Sequence, residues 1–190
     1  AIRFGDIDIR DVSQKELRNR IGYVPQKGIL FSGTIESNLR YADENLSDEK
    51  MEAALTISQA KEFVDRMPNG VNEPIAQGGT NISGGQKQRL SIARALAKDA
   101  QVYIFDDTFS ALDYATDAKL RTALAGLIAK KHATVFIVAQ RISSIMHADK
   151  IIVLDQGKMA SIGTHEELLK NCEVYQEIAH SQLSREELGE

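Results

Sequence analysis

Hydrophobic positions along the chain recur at two periods, and the switches between them mark out the elements. Over residues 1–10, Ile2, Phe4, Ile7 and Ile9 alternate with Arg3, Asp6, Asp8 and Arg10 around a Gly5-Asp6 break. This pattern predicts a short β-hairpin with one half-buried face. Ser13 with Glu16 three residues on fits a capping box, so 14–19 reads as a short helix. Residues 21–24 read as a strand ended by Pro25, which cannot donate to a continuing ladder. A helix is expected to start near Thr34. Ser47 caps another over 48–57, and Ser58 opens one to Arg66, before the breaker Pro68-Asn69-Gly70. The span 72–80 reads as a loop.

Further on, Leu90, Ala93, Leu96 and Ala97 give an amphipathic helix over 87–97. Residues 101–105 form a near-continuous apolar run, of the kind buried on both faces of a parallel sheet. A helix over 111–129, a strand over 134–139 and a short helix over 142–147 follow. A hairpin pairs 151–154 with 159–162 through Asp155-Gln156-Gly157-Lys158. Thr164 and Glu167 form a second capping box before a helix over 166–179, and the polar tail 181–190 is expected to fray. Strand and helix alternate throughout, so the predicted class is α/β with a mostly parallel sheet.

Composition narrows this only a little. The chain of 190 residues is 43% hydrophobic and 26% charged, ordinary for a globular domain. A net charge of −4 with no Lys/Arg block argues against a nucleic-acid partner. The single cysteine, Cys172, excludes a disulfide framework within the chain and suits a reducing compartment. No apolar run approaches bilayer length, so a membrane link is expected to come through a partner or another segment.

The chemistry concentrates at Asn81-Ile82-Ser83-Gly84-Gly85-Gln86. Adjacent glycines ahead of a helix let a ligand approach the backbone, and the helix tip offers unpaired N–H groups and a positive dipole end to an anion. Ser83 adds a hydroxyl and Gln86 an amide, donors suited to phosphate oxygens. Asp106 and Asp107 end the apolar run, and Ser110-Ala111-Leu112-Asp113 follows. Asp106, at the end of a buried strand, is a candidate metal carboxylate. Gln26 sits at a strand's carboxyl end, where α/β sheets place ligand groups.

Together these motifs resemble the nucleotide-binding domain of an ABC transporter, most closely an exporter half. Ile82 to Gln86 is similar to the signature loop, with Ile where Leu is usual. Val102 to Asp106 resembles the Walker B strand, Ser110 to Asp113 the D-loop, and Val24-Pro25-Gln26 the Q-loop. The resemblance implies a P-loop NTPase-like fold, incomplete at the N-terminus. Its parts would be an N-terminal hairpin, a helical signature subdomain at 27–100, a Walker B, D-loop and switch region at 101–163 and a C-terminal helix at 164–180. It also implies ATP and Mg²⁺ as cofactors, with Asp106 and Gln26 at the metal and Ser83, Gly84, Gly85, Gln86 and Asp113 serving nucleotide across a dimer interface. Partners would be a second nucleotide-binding domain and transmembrane domains docking on 27–40 and 72–80, at the cytoplasmic face of the membrane.

Two positions depart from that family's pattern. It expects glutamate as general base where this chain has Asp107, one methylene shorter, and histidine where this chain has Gln140. Glutamine hydrogen-bonds but carries no proton at neutral pH. In the X-loop, Gln77 and Gly78 stand where exporters commonly carry glutamate and arginine. The expectation is the degenerate-site half of a heterodimeric exporter, with a slow site of its own and a signature that completes the partner's. A non-hydrolysing sensor or scaffold subunit is the alternative. A DNA-maintenance ATPase is disfavoured, because no heptad segments separate Gln26 from Ser83. No Gly-x-x-x-x-Gly-Lys-Ser/Thr occurs, so the chain alone is expected to bind ATP poorly, not to hydrolyse it, and to self-associate through uncovered sheet surface.

Overall fold

In a computed structural model, which describes residues 1–184, the chain divides into two compact units. One is Ala1–Val138 and the second begins at Ala139. The first unit opens with the hairpin β1 (Arg3–Phe4) and β2 (Ile7–Asp8), turned at Gly5 with φ +61°. Helix α1 (Gln14–Asn19) starts where Ser13 Oγ accepts from the Glu16 amide, one half of the expected capping box; the Glu16 carboxylate accepts from the Ser13 hydroxyl rather than from its backbone amide. Then come β3 (Ile21–Val24), β4 (Gly33–Thr34), α2 (Ile35–Arg40), α3 (Asp48–Ile57), α4 (Lys61–Val64), β5 (Pro74–Ile75), α5 (Gly84–Ala97), β6 (Val102–Asp106), α6 (Tyr114–Lys131) and β7 (Thr134–Val138).

Strands β3, β6 and β7 form a parallel sheet in that order, with Ile21 opposite Val102 and Val102 opposite Thr134. Helix α5 is its main partner, packing against β3, α2 and α3. Leu90, Ile92 and Ala93 are fully buried, as are Tyr103 and Phe105 of β6. Each such Leu or Ile contributes about 1.5–3 kcal/mol on leaving water.

Several boundaries differ from the sequence reading. Helix α5 begins at Gly84 rather than near 87, because Ser83 and Gln86 form a full capping box around the glycines. Ser58 ends α3 instead of opening the next helix, and Gln59 takes a left-handed φ of 59° before α4. The loop 72–80 holds β5, which pairs with β4, Gly33 opposite Ile75. Strand β6 is not buried on both faces. Tyr103 and Phe105 point inward, while the opposite face of the sheet leaves Tyr23, Phe136 and Val138 more than half exposed.

The second unit contains β8 (Ile151–Asp155), β9 (Lys158–Gly163), α7 (His165–Asn171) and α8 (Glu173–Gln182). The hairpin turns at Gln156 and Gly157, both at positive φ (45° and 77°), as a two-residue turn with the twist of its strands demands. Thr164 and Glu167 make the predicted capping box. The single helix expected over 166–179 is two, broken at the buried Cys172, whose φ/ψ is extended. Ile142, Ile151, Val153, Leu168, Tyr175 and Ala179 form this unit's core. Helix α8 continues through Gln182, into the tail expected to fray; residues 185–190 of that tail lie outside the described residues.

Candidate functional site

The carboxyl ends of β3 and β6 bring three of the expected residues together. Asp106 closes β6 opposite Val138, and its Oδ2 accepts from the Tyr23 phenol at 3.1 Å. That bond, with some burial and the nearby charge, raises the Tyr23 pKa above the usual phenol value. Asp107 then leaves the strand in a left-handed conformation, φ 44° and ψ 33°, unusual for a residue with a side chain. Hydrogen bonds fix it there. Its amide donates to Val138 O at 3.0 Å, its carbonyl accepts from Ser110 Oγ at 2.8 Å, and its Oδ2 accepts from Gln26 Nε2 at 3.0 Å. Such over-determination is how strained backbone persists at a site. Asp107 is buried, with 8% of its surface exposed.

Pro25 ends β3 and places Gln26 on the loop that faces these carboxylates. The next turn is braced from α5. Gln88, 2% exposed, accepts from the Gly28 amide at 2.9 Å and donates to Pro25 O at 3.4 Å. Nothing in the sequence reading marks Gln88, because a polar residue on an amphipathic helix reads as its solvent face. Tyr23 is missed for a similar reason, as one aromatic among the apolar positions of a strand.

At the tip of α5, Ser83 Oγ accepts from the Gln86 amide at 3.3 Å and Gln86 Oε1 from the Ser83 amide at 3.0 Å. The groups expected to hold phosphate therefore cap the helix here. Gly84 and Gly85 are its first two residues, and their amides face out of the tip by helix geometry. A Cβ added at Gly84 would meet nothing within 4 Å, and one at Gly85 only Ala111 O at 3.9 Å. Packing within the chain does not require glycine at either place. Arg89, one turn on, lies over the Phe63 ring at 4.7 Å and donates to Gln59 O at 3.0 Å. Burial lowers its pKa, opposed by Asp113 and Glu62.

Asp113 caps α6, accepting from the Thr116 hydroxyl at 2.7 Å and the Thr116 amide at 3.0 Å, and these bonds hold its carboxyl below the usual range. Gln140 belongs to the second unit, where its carbonyl accepts from Gln182 Nε2 at 2.8 Å. No group of three or more His, Cys, Asp or Glu suited to a metal occurs among the described residues. Mg²⁺ does not need one, since it is commonly bound through one or two carboxylates with water and phosphate oxygens. The Asp106 carboxylate and the Gln26 side-chain oxygen fit that ion.

The model of the ABC transporter family matches residues 1–110, more than half of the chain. The chain belongs to the ABC transporter family. An ABC transporter ATP-binding protein of Mycobacterium tuberculosis is 45% identical over 185 residues, 96% of this chain and 31% of that protein. The ATP-dependent lipid A-core flippase of Desulfotalea psychrophila is 41% identical over 90% of this chain and 29% of its own length. The mitochondrial iron-sulfur clusters transporter ABCB7 of Homo sapiens is 41% identical over 94% of this chain and 24% of its own. Among solved structures, a bacterial Atm1-family ABC exporter with ATP bound superposes with a TM-score of 0.89 at 35% identity, covering 95% of this chain and 32% of that one. This ABC chain thus has an exporter's P-loop NTPase-like α/β fold and spans about a third of the length of the curated relatives it matches. No helix among the described residues is long and apolar enough to cross a membrane.

Proposed function

We propose that this chain is part of the ATP-binding motor of an exporter, and that its signature loop completes the ATP site of a second nucleotide-binding domain. The observation that carries this reading is the bare glycine tip of α5, open at Gly84 and nearly so at Gly85. Outward amides at a helix N-terminus complement a terminal phosphate, and Ser83 and Gln86 can exchange their capping bonds for bonds to its oxygens. Asp113, capping the neighbouring helix, would reach the same interface. Transmembrane domains would dock on 27–40 and 72–80, where β4 and β5 already pair and Ile29 and Phe31 are exposed. On this reading the motor lies at the cytoplasmic face of the membrane.

On its own side, the chain builds a slow site. When bound, Mg²⁺ would neutralise charge on the phosphates, with Asp106 and Gln26 as its protein ligands. Asp107 stands where a general base takes a proton from water. Its side chain is one methylene short of glutamate, its backbone is fixed in the left-handed region, and its Oδ2 is engaged by Gln26. Loss of a positioned base costs about 10²–10⁴ in rate. Gln140 can orient a neighbour but not carry a proton. The same bond to Gln26 favours a second reading, a subunit that holds nucleotide and never hydrolyses it.

The test is Ser83→Arg in the full-length transporter with its partner. Filling the tip should lower hydrolysis at the partner's site by at least about 10², the scale of one lost transition-state donor. Unchanged turnover would remove the signature role.

A further inference from the structure

We propose that Tyr23 is a positioning residue for the cation carboxylate: its hydroxyl holds one oxygen of Asp106 so that the other is presented to a divalent cation. The inference rests on the reading of Asp106 as a metal ligand and adds a residue that no motif supplies.

The register makes the contact. Val24 pairs with Phe105, and Pro25 then ends β3, so Asp106 extends one residue beyond its neighbour strand. Val24 and Phe105 point to the buried face, with no exposed surface. Tyr23 and Asp106 therefore share the opposite face, and a tyrosine is long enough to bring its hydroxyl to the carboxylate of a residue on the next strand. The distance to Oδ2 is 3.1 Å. On the other flank Asp106 faces Val138, which has no hydrogen-bonding side chain. Among the described residues, Tyr23 is the side chain that hydrogen-bonds the Asp106 carboxylate.

Tyr23 is 53% exposed, whereas Tyr103 and Tyr175 are 0% and 1% exposed. Phenylalanine offers the strand the same ring without the hydroxyl. What tyrosine adds is one donor at a fixed height above the sheet. A carboxylate's terminal torsion is broad and roughly two-fold, so an untethered Asp106 spreads its oxygens over many directions. Pinning Oδ2 restricts the direction of Oδ1. Hydrogen bonds to a ligating carboxylate act in this way at metal sites generally. The end of β3 thus supplies a tether for each of the two adjacent carboxylates, Tyr23 before Pro25 for Asp106 and Gln26 after it for Asp107.

The experiment uses the full-length transporter with the partner's own cation carboxylate removed and Mn²⁺ as the probe, with a non-hydrolysable ATP analogue, and reads bound Mn²⁺ by electron paramagnetic resonance. Nucleotide binding without metal is measured in parallel. Tyr23→Phe should weaken Mn²⁺ binding about tenfold, the lower end of what such outer partners contribute, and leave metal-free nucleotide binding unchanged. In an Asp106→Asn background, Tyr23→Phe should have no further effect. If Asp106→Asn abolishes Mn²⁺ binding and Tyr23→Phe changes nothing, the Tyr23 inference is overturned while the metal reading stands. If Asp106→Asn itself leaves Mn²⁺ affinity intact, the metal reading fails and the inference with it. Equal losses of Mn²⁺ and metal-free nucleotide binding in Tyr23→Phe would also overturn it, since the residue would then serve the fold alone.

Discussion

Replacing Gln88 by leucine should loosen the loop that carries Gln26. Gln88 lies on α5, is 2% exposed, and its Oε1 accepts from the Gly28 amide at 2.9 Å. Its second bond, Nε2 to Pro25 O, is long at 3.4 Å and contributes little. Leucine fills a similar volume, so the loss is chiefly one hydrogen bond, about 0.5–1.5 kcal/mol, plus part of the penalty for a poorly solvated N–H. The sum is about 1–2 kcal/mol. Gly28 cannot simply move closer to recover it. A Cβ there would already lie 2.8 Å from Ser91 Oγ and 3.1 Å from Lys87 O, so loop and helix are in tight contact. Amide hydrogen exchange reads the effect directly, and Gly28 should exchange about 5- to 30-fold faster in Gln88→Leu. Gln26, between the two anchored residues, should also lose its hold on Asp107. A Gly28 exchange rate within about twofold of the parent would show that α5 does not brace this loop.

Arg121→Leu should lower the unfolding free energy by up to about 3 kcal/mol, read as a lower urea midpoint at unchanged slope, since it strands a buried carboxylate. Asp117 is fully buried, and its Oδ1 accepts from Arg121 Nε at 3.1 Å. Adding Asp117→Leu should return part of the loss; a single variant as stable as the parent would contradict this. In the second unit, His165 is held below its ordinary pKa by burial and by His147, with Nδ1 2.7 Å from the Tyr175 hydroxyl. The folded form therefore binds its proton less readily than the unfolded chain. Stability should be full above the ordinary value of about 6.5 and decline as pH falls below it. Denaturation midpoints measured against pH should lose this acid-side decline in His165→Gln; an identical profile would refute it.

Local signals carried most of the fold. The Ser47 and Thr164 caps, the Gly5 and Gly157 turns and the Pro25 stop each act within a few residues of the element they bound and stand as read, while Ser13 caps its helix through one half of the expected box. The tip of α5 also bore its mark, since Ser83 and Gln86 have capping-box spacing, but two glycines made the first turn look like loop. What stayed hidden depends on distant chain. The β4–β5 bridge is two residues long on each side and joins positions forty apart, too short to show a period. One face of β6 is uncovered because burial is set by neighbours, which an apolar run does not name. The cluster of Asp106, Asp107 and Gln26 was legible through motif resemblance. The tethers from Tyr23 and Gln88 were not, since each is a single polar group aimed by sheet register or helix phase.

The most direct measurement is ATP turnover at this chain's own site, in the full-length transporter with the partner's catalytic carboxylate removed. Turnover should be near background with Asp107 and Gln140 in place, and rise by at least about 10² with Asp107→Glu and Gln140→His together. Fast turnover before the exchange, or none after it, would contradict a slow site set by these two residues.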